Sequence, residues 1–148
     1  MTDVWATSML ISGALFAGGV VSIAWERLPA WRAAELADFR IAFAHTLRRV
    51  DRLQPALLVV CLVSTIGFAL GADRQAQVPA LLAAAGFLAV LIGSGALLVP
   101  VQRRLVSAEA DLPSSEAERL RRLWLRGHVI RTVVAVAALV LAVVAAIS

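Results

Sequence analysis

Four separate apolar runs in this 148-residue chain are each long enough to cross a lipid bilayer, which takes about 20 helical residues. They cover roughly residues 4–25, 53–72, 78–101 and 129–148. Hydrophobic residues make up 61% of the chain and the mean hydropathy is +0.86, whereas soluble domains are about 45–50% apolar. The sequence therefore predicts an all-α fold, an integral membrane four-helix bundle that forms one domain over residues 1–148.

The arginines predict how this bundle is oriented. Every basic residue is Arg, and the two long connections, 26–52 and 102–128, carry six each, whereas the 73–77 hairpin has only Arg74. The positive-inside rule places the Arg-rich connections in the cytoplasm and both termini outside. An Arg-only basic complement is typical of GC-rich bacteria, so we expect a bacterial inner membrane. No stacking aromatics alternate with these arginines, which favours the lipid bilayer over nucleic acid as the partner.

Both long connections are predicted to contain helices. Between the first two spans, apolar residues recur at three- and four-residue steps, opposite a polar face that includes His45. This pattern predicts an additional amphipathic cytoplasmic helix that either lies on the membrane surface or caps the bundle. In the second connection, Ser114 or Ser115 is the expected N-cap of a helix that continues into the last span. The apolar face consists of Leu36, Phe39, Phe43, Leu47 and Val50, and the polar face of Glu35, Asp38, His45, Arg49 and Arg52.

Small residues at four-residue spacing predict where the spans pack, because small side chains let membrane helices approach closely. The same faces could also pack against a second copy of the chain in a homo-oligomer. The predicted contact faces are Ala14, Gly18 and Ser22 in the first span, Ala85, Ala89 and Gly93 in the third, and Ala138, Ala142 and Ala146 in the fourth.

A polar stripe at the start of the last span needs an explanation. Four side chains fall within about 80° of one another on a helical wheel: Arg121, Trp124, His128 and Arg131. Arg131 has no acidic partner nearby on its own helix, so it needs a partner from another helix or must reach water.

Candidate partners end the first and third spans at the same membrane depth. Glu26 follows Ser22 by one turn, and Gln102 and Arg103 follow the third span. We expect the bundle to gather these groups with Trp124, His128 and Arg131 at one end of its interior.

Simpler interpretations stay open. Tryptophans at this depth also form the ordinary interfacial belt, Glu26 with Arg131 can be a structural ion pair, and His128 can be a structural residue. A metal ion held by His45 and His128 with Glu26 or Asp38 is conceivable, but the spacing does not support it. We predict no cofactor and assign no metal ligand. The single cysteine, Cys61, argues against a CxxC redox enzyme.

Three segments resemble the anthrone oxygenase family of small four-span membrane proteins, long classed as a domain of unknown function. "GALFAGGVVSIAWERLPAW" resembles the family's first helix, a glycine-rich run that ends in a proline. "LLVPVQRRL" is similar to the end of its third helix, although Gln102 stands where members commonly have Asn. "LRRLWLRGHVIRTVV" is similar to its most telling motif, in which Trp, His and Arg-Thr open the last helix.

The resemblance implies an oxygenase that converts a hydrophobic polyketide-type aromatic, an anthrone, to a quinone with O2, without a metal or flavin. Removal of a proton makes an anthrone an electron-rich enolate that reacts with oxygen. On this hypothesis His128 is the base, Arg131 stabilises the oxyanion, Trp124 lines the pocket and Glu26 orients His128 or Arg131. The other expected substrate-binding residues are Ser22, Trp25, Gln102 and Arg103. The alternatives are a non-enzymatic scaffold or accessory subunit and a carrier of an amphiphile.

Overall fold

The computed structural model describes residues 2–50, 53–107 and 112–148, and this part of the chain is all-α. Two π-helical turns interrupt otherwise continuous helices: the first π turn is Ile23–Arg27 and the second is Ser94–Leu98. The α-helices are α1 (Thr2–Ser22), α2 (Leu28–Ala33), α3 (Leu36–Val50), α4 (Leu53–Gly71), α5 (Arg74–Gly93), α6 (Val99–Val106) and α7 (Ser114–Ile147).

Four helical stretches are long and apolar enough to cross a membrane, as predicted, which indicates a multi-pass membrane protein. They are Thr2–Ala33, Leu53–Gly71, Arg74–Val106 and Ser114–Ile147. In the bundle, α1 packs against α4 and α7, and α5 packs against the same two helices. The four spans therefore form a ring. The first, third and fourth stretches, of 32, 33 and 34 residues, are longer than the about 20 residues that cross a bilayer.

Prolines explain why two spans contain π turns. Pro29 and Pro100 each lie at the second position of the helix that follows a π turn. A proline inside a helix has no N–H to donate, and its ring clashes with the carbonyl four residues earlier. A π turn inserts one extra residue and relieves this conflict without ending the helix. The first and third spans thus share one local design, and both π turns lie near the Arg-rich end.

Helix α3 caps the Arg-rich end of the bundle, which settles the choice left open by its amphipathic pattern. Phe39 and Phe43 are fully buried beneath it, and Arg40 donates from Nε to the Leu105 carbonyl at 3.0 Å. Arg121 donates to the Ala34 carbonyl at 2.7 Å and so joins α7 to the short connection between α2 and α3. The side chains of Arg49 and Val50, and Arg52, lie outside the described residues.

The predicted small-residue faces are correct for only one span. Ala138 and Ala142 are buried on α7, as expected, but the predicted faces of α1 and α5 are largely exposed on the outside of the bundle. Their buried faces consist instead of Met9, Ser12, Gly13, Phe16, Ala17 and Val20 on α1, and Ala76, Ala80, Ala83, Ala84, Phe87 and Val90 on α5. Lipid tails are as apolar as a protein core, so composition does not show which apolar face turns inward.

Two helix starts differ from expectation. α5 begins before its apolar run, because the Asp73 carboxylate accepts hydrogen bonds from the Gln75 and Ala76 amides at 3.0 and 3.1 Å and caps the helix. The predicted serine N-cap of α7 is wrong: Pro113 holds that position, and Ser114 is the first helical residue. The expected continuation of α7 into the last span is confirmed, since one 34-residue helix covers both.

Candidate functional site

His128 points into the bundle, as the polar stripe predicts. Its side chain is fully buried, and Nε2 lies 3.1 Å from the Val20 carbonyl of α1. Nδ1 lies 2.8 Å from an Nη atom of Arg131, one turn along α7. Because a guanidinium can only donate, Nδ1 must accept and the ring proton must be on Nε2, which donates to Val20. The imidazole held in this arrangement is neutral.

Thr132 completes this junction between α7 and α1. Its hydroxyl donates to the His128 carbonyl at 2.8 Å and lies 3.5 Å from the Val20 carbonyl. A threonine that bonds back to the carbonyl four residues earlier is common inside helices. The sequence reasoning did not single out Thr132, although its four-residue spacing from His128 places both side chains on one face.

Trp124 covers the other side of the imidazole. The two rings are stacked, with centroids 5.0 Å apart and an interplanar angle of 24°. Behind Trp124 lies an aromatic cluster from α2 and α3, in which Phe43 and Trp31 approach the indole edge-on at 4.7 and 5.7 Å. Such packing fixes the indole plane. Trp124 is only 2% exposed, so it acts here as a wall against His128.

A groove of about 640 Å³ opens beside this junction, between the third span and α7. It lies partly at the second π turn, and its rim includes Leu97 and Ile130, which are 69% and 65% exposed. The groove is thus open on the side that faces lipid. Its described lining is apolar except for Ser94, Arg126 and Arg131.

Two of these polar groups, Arg131 and Ser94, differ in their hydrogen-bond partners. Arg131 is half-buried and reaches from the groove to His128. The Ser94 hydroxyl is buried and has no hydrogen-bond partner among the described residues. Ser94 was not predicted as a site residue. The one sequence feature that points to it is a polar serine directly after an apolar run, in "LIGSGALL".

A second, much smaller cavity is also lined by Arg131. Gln102, Trp124 and Gln54 line it, and Arg131 is the lining residue that the two cavities share in the described part of the chain. Gln102 is 5% exposed, as expected for a polar group inside the bundle. Gln54 was not predicted. The sequence feature that could have indicated it is a polar amide side chain at the start of an apolar span.

The predicted gathering of Glu26 and Arg103 with His128 is wrong. Glu26 is exposed and lies 3.6 Å from Arg27, and Arg103 is exposed on α6. Ser22 is also exposed, and Trp25 is 86% exposed. The face that carries Ser22 turns away from the bundle, and Glu26 lies in the first π turn, where a regular helical wheel no longer applies. The structure therefore brings together His128, Arg131, Trp124 and Gln102, and leaves the other four outside.

The arrangement also bears on the conceivable two-histidine metal site. His45 is exposed on α3, whereas both ring nitrogens of His128 already have hydrogen-bond partners. Among the described residues, no three His, Cys, Asp or Glu side chains lie together as a ligand set.

The family model described as anthrone oxygenase matches residues 43–141, which include α4 to α6, most of α7 and the His128–Arg131 junction. No curated protein and no solved structure gave a match. The matched segment is more than half of the chain and covers the buried site. The chain belongs to the anthrone oxygenase family.

Proposed function

We propose that the protein is a membrane-embedded oxygenase that converts a flat, hydrophobic anthrone-type ketone to the corresponding quinone with O2. The observation that carries this proposal is Arg131, a cation that reaches from an apolar, lipid-facing groove to a buried neutral imidazole. A groove of about 640 Å³ is of the size that binds drug-sized molecules. The ligand would enter from the inner leaflet.

In the proposed binding mode, the aromatic rings lie along the apolar wall of the groove and the ketone oxygen faces Arg131. The buried Ser94 hydroxyl supplies a further donor on the opposite wall. A guanidinium aimed at this oxygen stabilises the negative charge that develops when the substrate loses a proton. Because the groove is largely apolar, this interaction is stronger than it would be in water.

His128 is the proposed base, with one geometric condition. Its only lone pair, on Nδ1, accepts a hydrogen bond from Arg131. Arg131 must therefore leave Nδ1 for the substrate oxygen before the imidazole can take a proton. This exchange couples the two roles, because the same movement stabilises the enolate and frees the base. The Nε2–H bond to Val20 keeps the ring in place meanwhile.

The overall reaction balances with O2 as the only oxidant. The substrate methylene carbon loses one proton to the base, and the carbanion of the enolate transfers electrons to O2 to form a C–O bond. The resulting peroxide carries one remaining hydrogen on that carbon. The base returns its proton to the peroxide and then removes this hydrogen while the O–O bond breaks. The departing hydroxide takes that proton from the base and leaves as water, and the carbon keeps the new carbonyl oxygen. We propose no metal or cofactor for this sequence.

The test is oxygen uptake by the purified protein in lipid nanodiscs, with an anthrone as substrate. We expect one quinone per O2 consumed, and at least a tenfold loss of rate in His128→Ala. The matched control is His45→Ala, because His45 is exposed on α3. Equal helical content and a monodisperse elution profile exclude unfolding as the cause. Binding of the anthrone without oxygen uptake would identify a carrier, and an undiminished rate in His128→Ala would reject the assigned base.

A further inference from the structure

Two buried polar atoms beside the aromatic cluster have no hydrogen-bond partner among the described residues. One is Nε1 of Trp124, a donor on a side chain that is 2% exposed, and the other is Oε1 of Gln54, an acceptor on a side chain that is 8% exposed. Buried polar atoms are nearly always paired with protein or with ordered water, so each calls for a partner.

The two atoms belong to residues that line the same small cavity, next to Arg131. Its volume is about 10 Å³, which is close to the space that one water molecule needs. Thr46 and Gln102 add further polar groups to the lining. A buried water requires two to four polar partners, and this cavity offers at least a donor and an acceptor.

Gly19 explains how the Gln54 amide reaches this cavity. A Cβ at residue 19 would overlap Nε2 of Gln54, so the amide fits against α1 only because residue 19 is glycine. The Gln54 side chain is thereby held at the junction between α1 and α4, and its carbonyl oxygen stays buried without a protein partner.

We propose that this cavity is a binding site for a single water molecule, which accepts a hydrogen bond from Trp124 Nε1 and donates one to Gln54 Oε1. The water lies next to Arg131, which also lines the groove. It anchors the indole that stacks on His128. This proposal does not depend on the oxygenase chemistry, because it follows from the buried atoms alone.

The experiment is NMR of the full-length protein in nanodiscs, with 15N-labelled tryptophan indoles. Trp124→Phe identifies the Trp124 signal by its loss. We expect the Trp124 indole proton to show a rotating-frame cross-peak to water with the sign of direct dipolar contact, which is opposite to that of chemical exchange. Trp25, which is 86% exposed, serves as an internal reference for a lipid- or solvent-facing indole.

Gln54→Leu should abolish this cross-peak, because it removes the acceptor. The matched control is Gln77→Leu, since Gln77 bonds to Ala69 at the opposite end of the bundle. If Gln54→Leu gives a spectrum that is not dispersed, Gly19→Ala provides a second route, because the added methyl displaces the Gln54 amide. A missing cross-peak in the wild-type protein, a cross-peak to lipid chains instead of water, or full retention in a folded Gln54→Leu or Gly19→Ala variant would overturn the proposal.

Discussion

At the scale of single residues, the site is a chain of contacts in which each group fixes the next. The Val20 carbonyl accepts from His128 Nε2, the stacked Trp124 ring fixes the imidazole plane, and Nδ1 holds Arg131. A buried imidazole with both nitrogens engaged contributes to stability as well as to the proposed chemistry. Loss of function and loss of fold must therefore be measured separately at this residue.

His128→Ala is expected to lower the free energy of unfolding by about 2–4 kcal/mol, the range for truncation of a buried side chain. The substitution leaves a cavity under Trp124 and removes the hydrogen bond to Val20. Reversible unfolding in mixed micelles measures the change. His45→Ala should stay within about 0.5 kcal/mol, as surface substitutions usually do. Equal stabilities of the two variants would contradict the described packing of His128.

At the scale of helices, the sequence predicts the elements better than it predicts their faces. The four spans and the buried face of α3 both depend on the separation of apolar side chains from water, which hydropathy describes. Both elements are found as predicted. The inward faces of α1 and α5 are decided by packing against other helices instead of lipid, and hydropathy does not distinguish the two. Consequently Gly18 was expected inside and is exposed, whereas Phe16 is buried.

The same limit explains which site residues could be predicted. His128 and Arg131 are polar groups in an apolar helix, so they must turn inward or reach water, and the sequence shows this conflict. Glu26 was placed by a regular helical wheel, but it lies in the first π turn on an exposed face. Ser94 and Gln54 are small departures from apolar runs, and only the three-dimensional packing shows that they are buried.

Contact between α5 and α7 gives a prediction at this scale. A Cβ at Gly86 would lie 2.9 Å from Cβ of Ala138, an atom that cannot move without its backbone. Gly86→Ala should therefore lower the free energy of unfolding by about 1–3 kcal/mol, as overpacking usually does. Gly18→Ala is the matched control, because nothing lies within 4 Å of its Cβ position and alanine is the better helix former. A neutral or stabilising Gly86→Ala would contradict this close approach.

At the scale of the whole molecule, the fold separates a packed junction from an open groove. The ring of spans buries His128, and α3 caps the Arg-rich end over an aromatic cluster that includes Phe39 and Trp31. The third span and α7 enclose the groove, and Arg131 connects it to the junction. In the proposed reaction, a hydrophobic ligand reaches Arg131 through the groove, and the movement of Arg131 then exposes His128 to it.

Filling the groove should block the proposed reaction. Ala85 and Ala89 are both exposed on α5, one turn apart, but only Ala89 is part of the described groove lining. Ala89→Trp should lower kcat/KM for an anthrone at least tenfold, and Ala85→Trp should change it less than twofold. Initial rates of oxygen uptake measure both. Equal rates in the two variants would place the substrate elsewhere.

The proposed orientation is tested by thiol labelling of Arg74→Cys, at the first residue of α5 beside the short connection from α4. A reagent that does not cross membranes should label this position in intact spheroplasts, because the positive-inside rule places the hairpin outside. Native Cys61 is buried and serves as the unlabelled reference. Labelling only after the membrane is permeabilised would reverse the topology.

The most direct test of the central claim, that Arg131 stabilises the substrate oxyanion in the groove, is the rate of anthrone-dependent oxygen uptake in variants of this residue. We predict that Arg131→Ala lowers kcat at least a hundredfold, the loss seen when one oxyanion donor is removed. Arg131→Lys should retain part of the rate because it keeps the charge. Arg122→Ala should match the wild type, because Arg122 is exposed and is not part of the described groove lining. A folded Arg131→Ala variant with wild-type kcat would contradict the account.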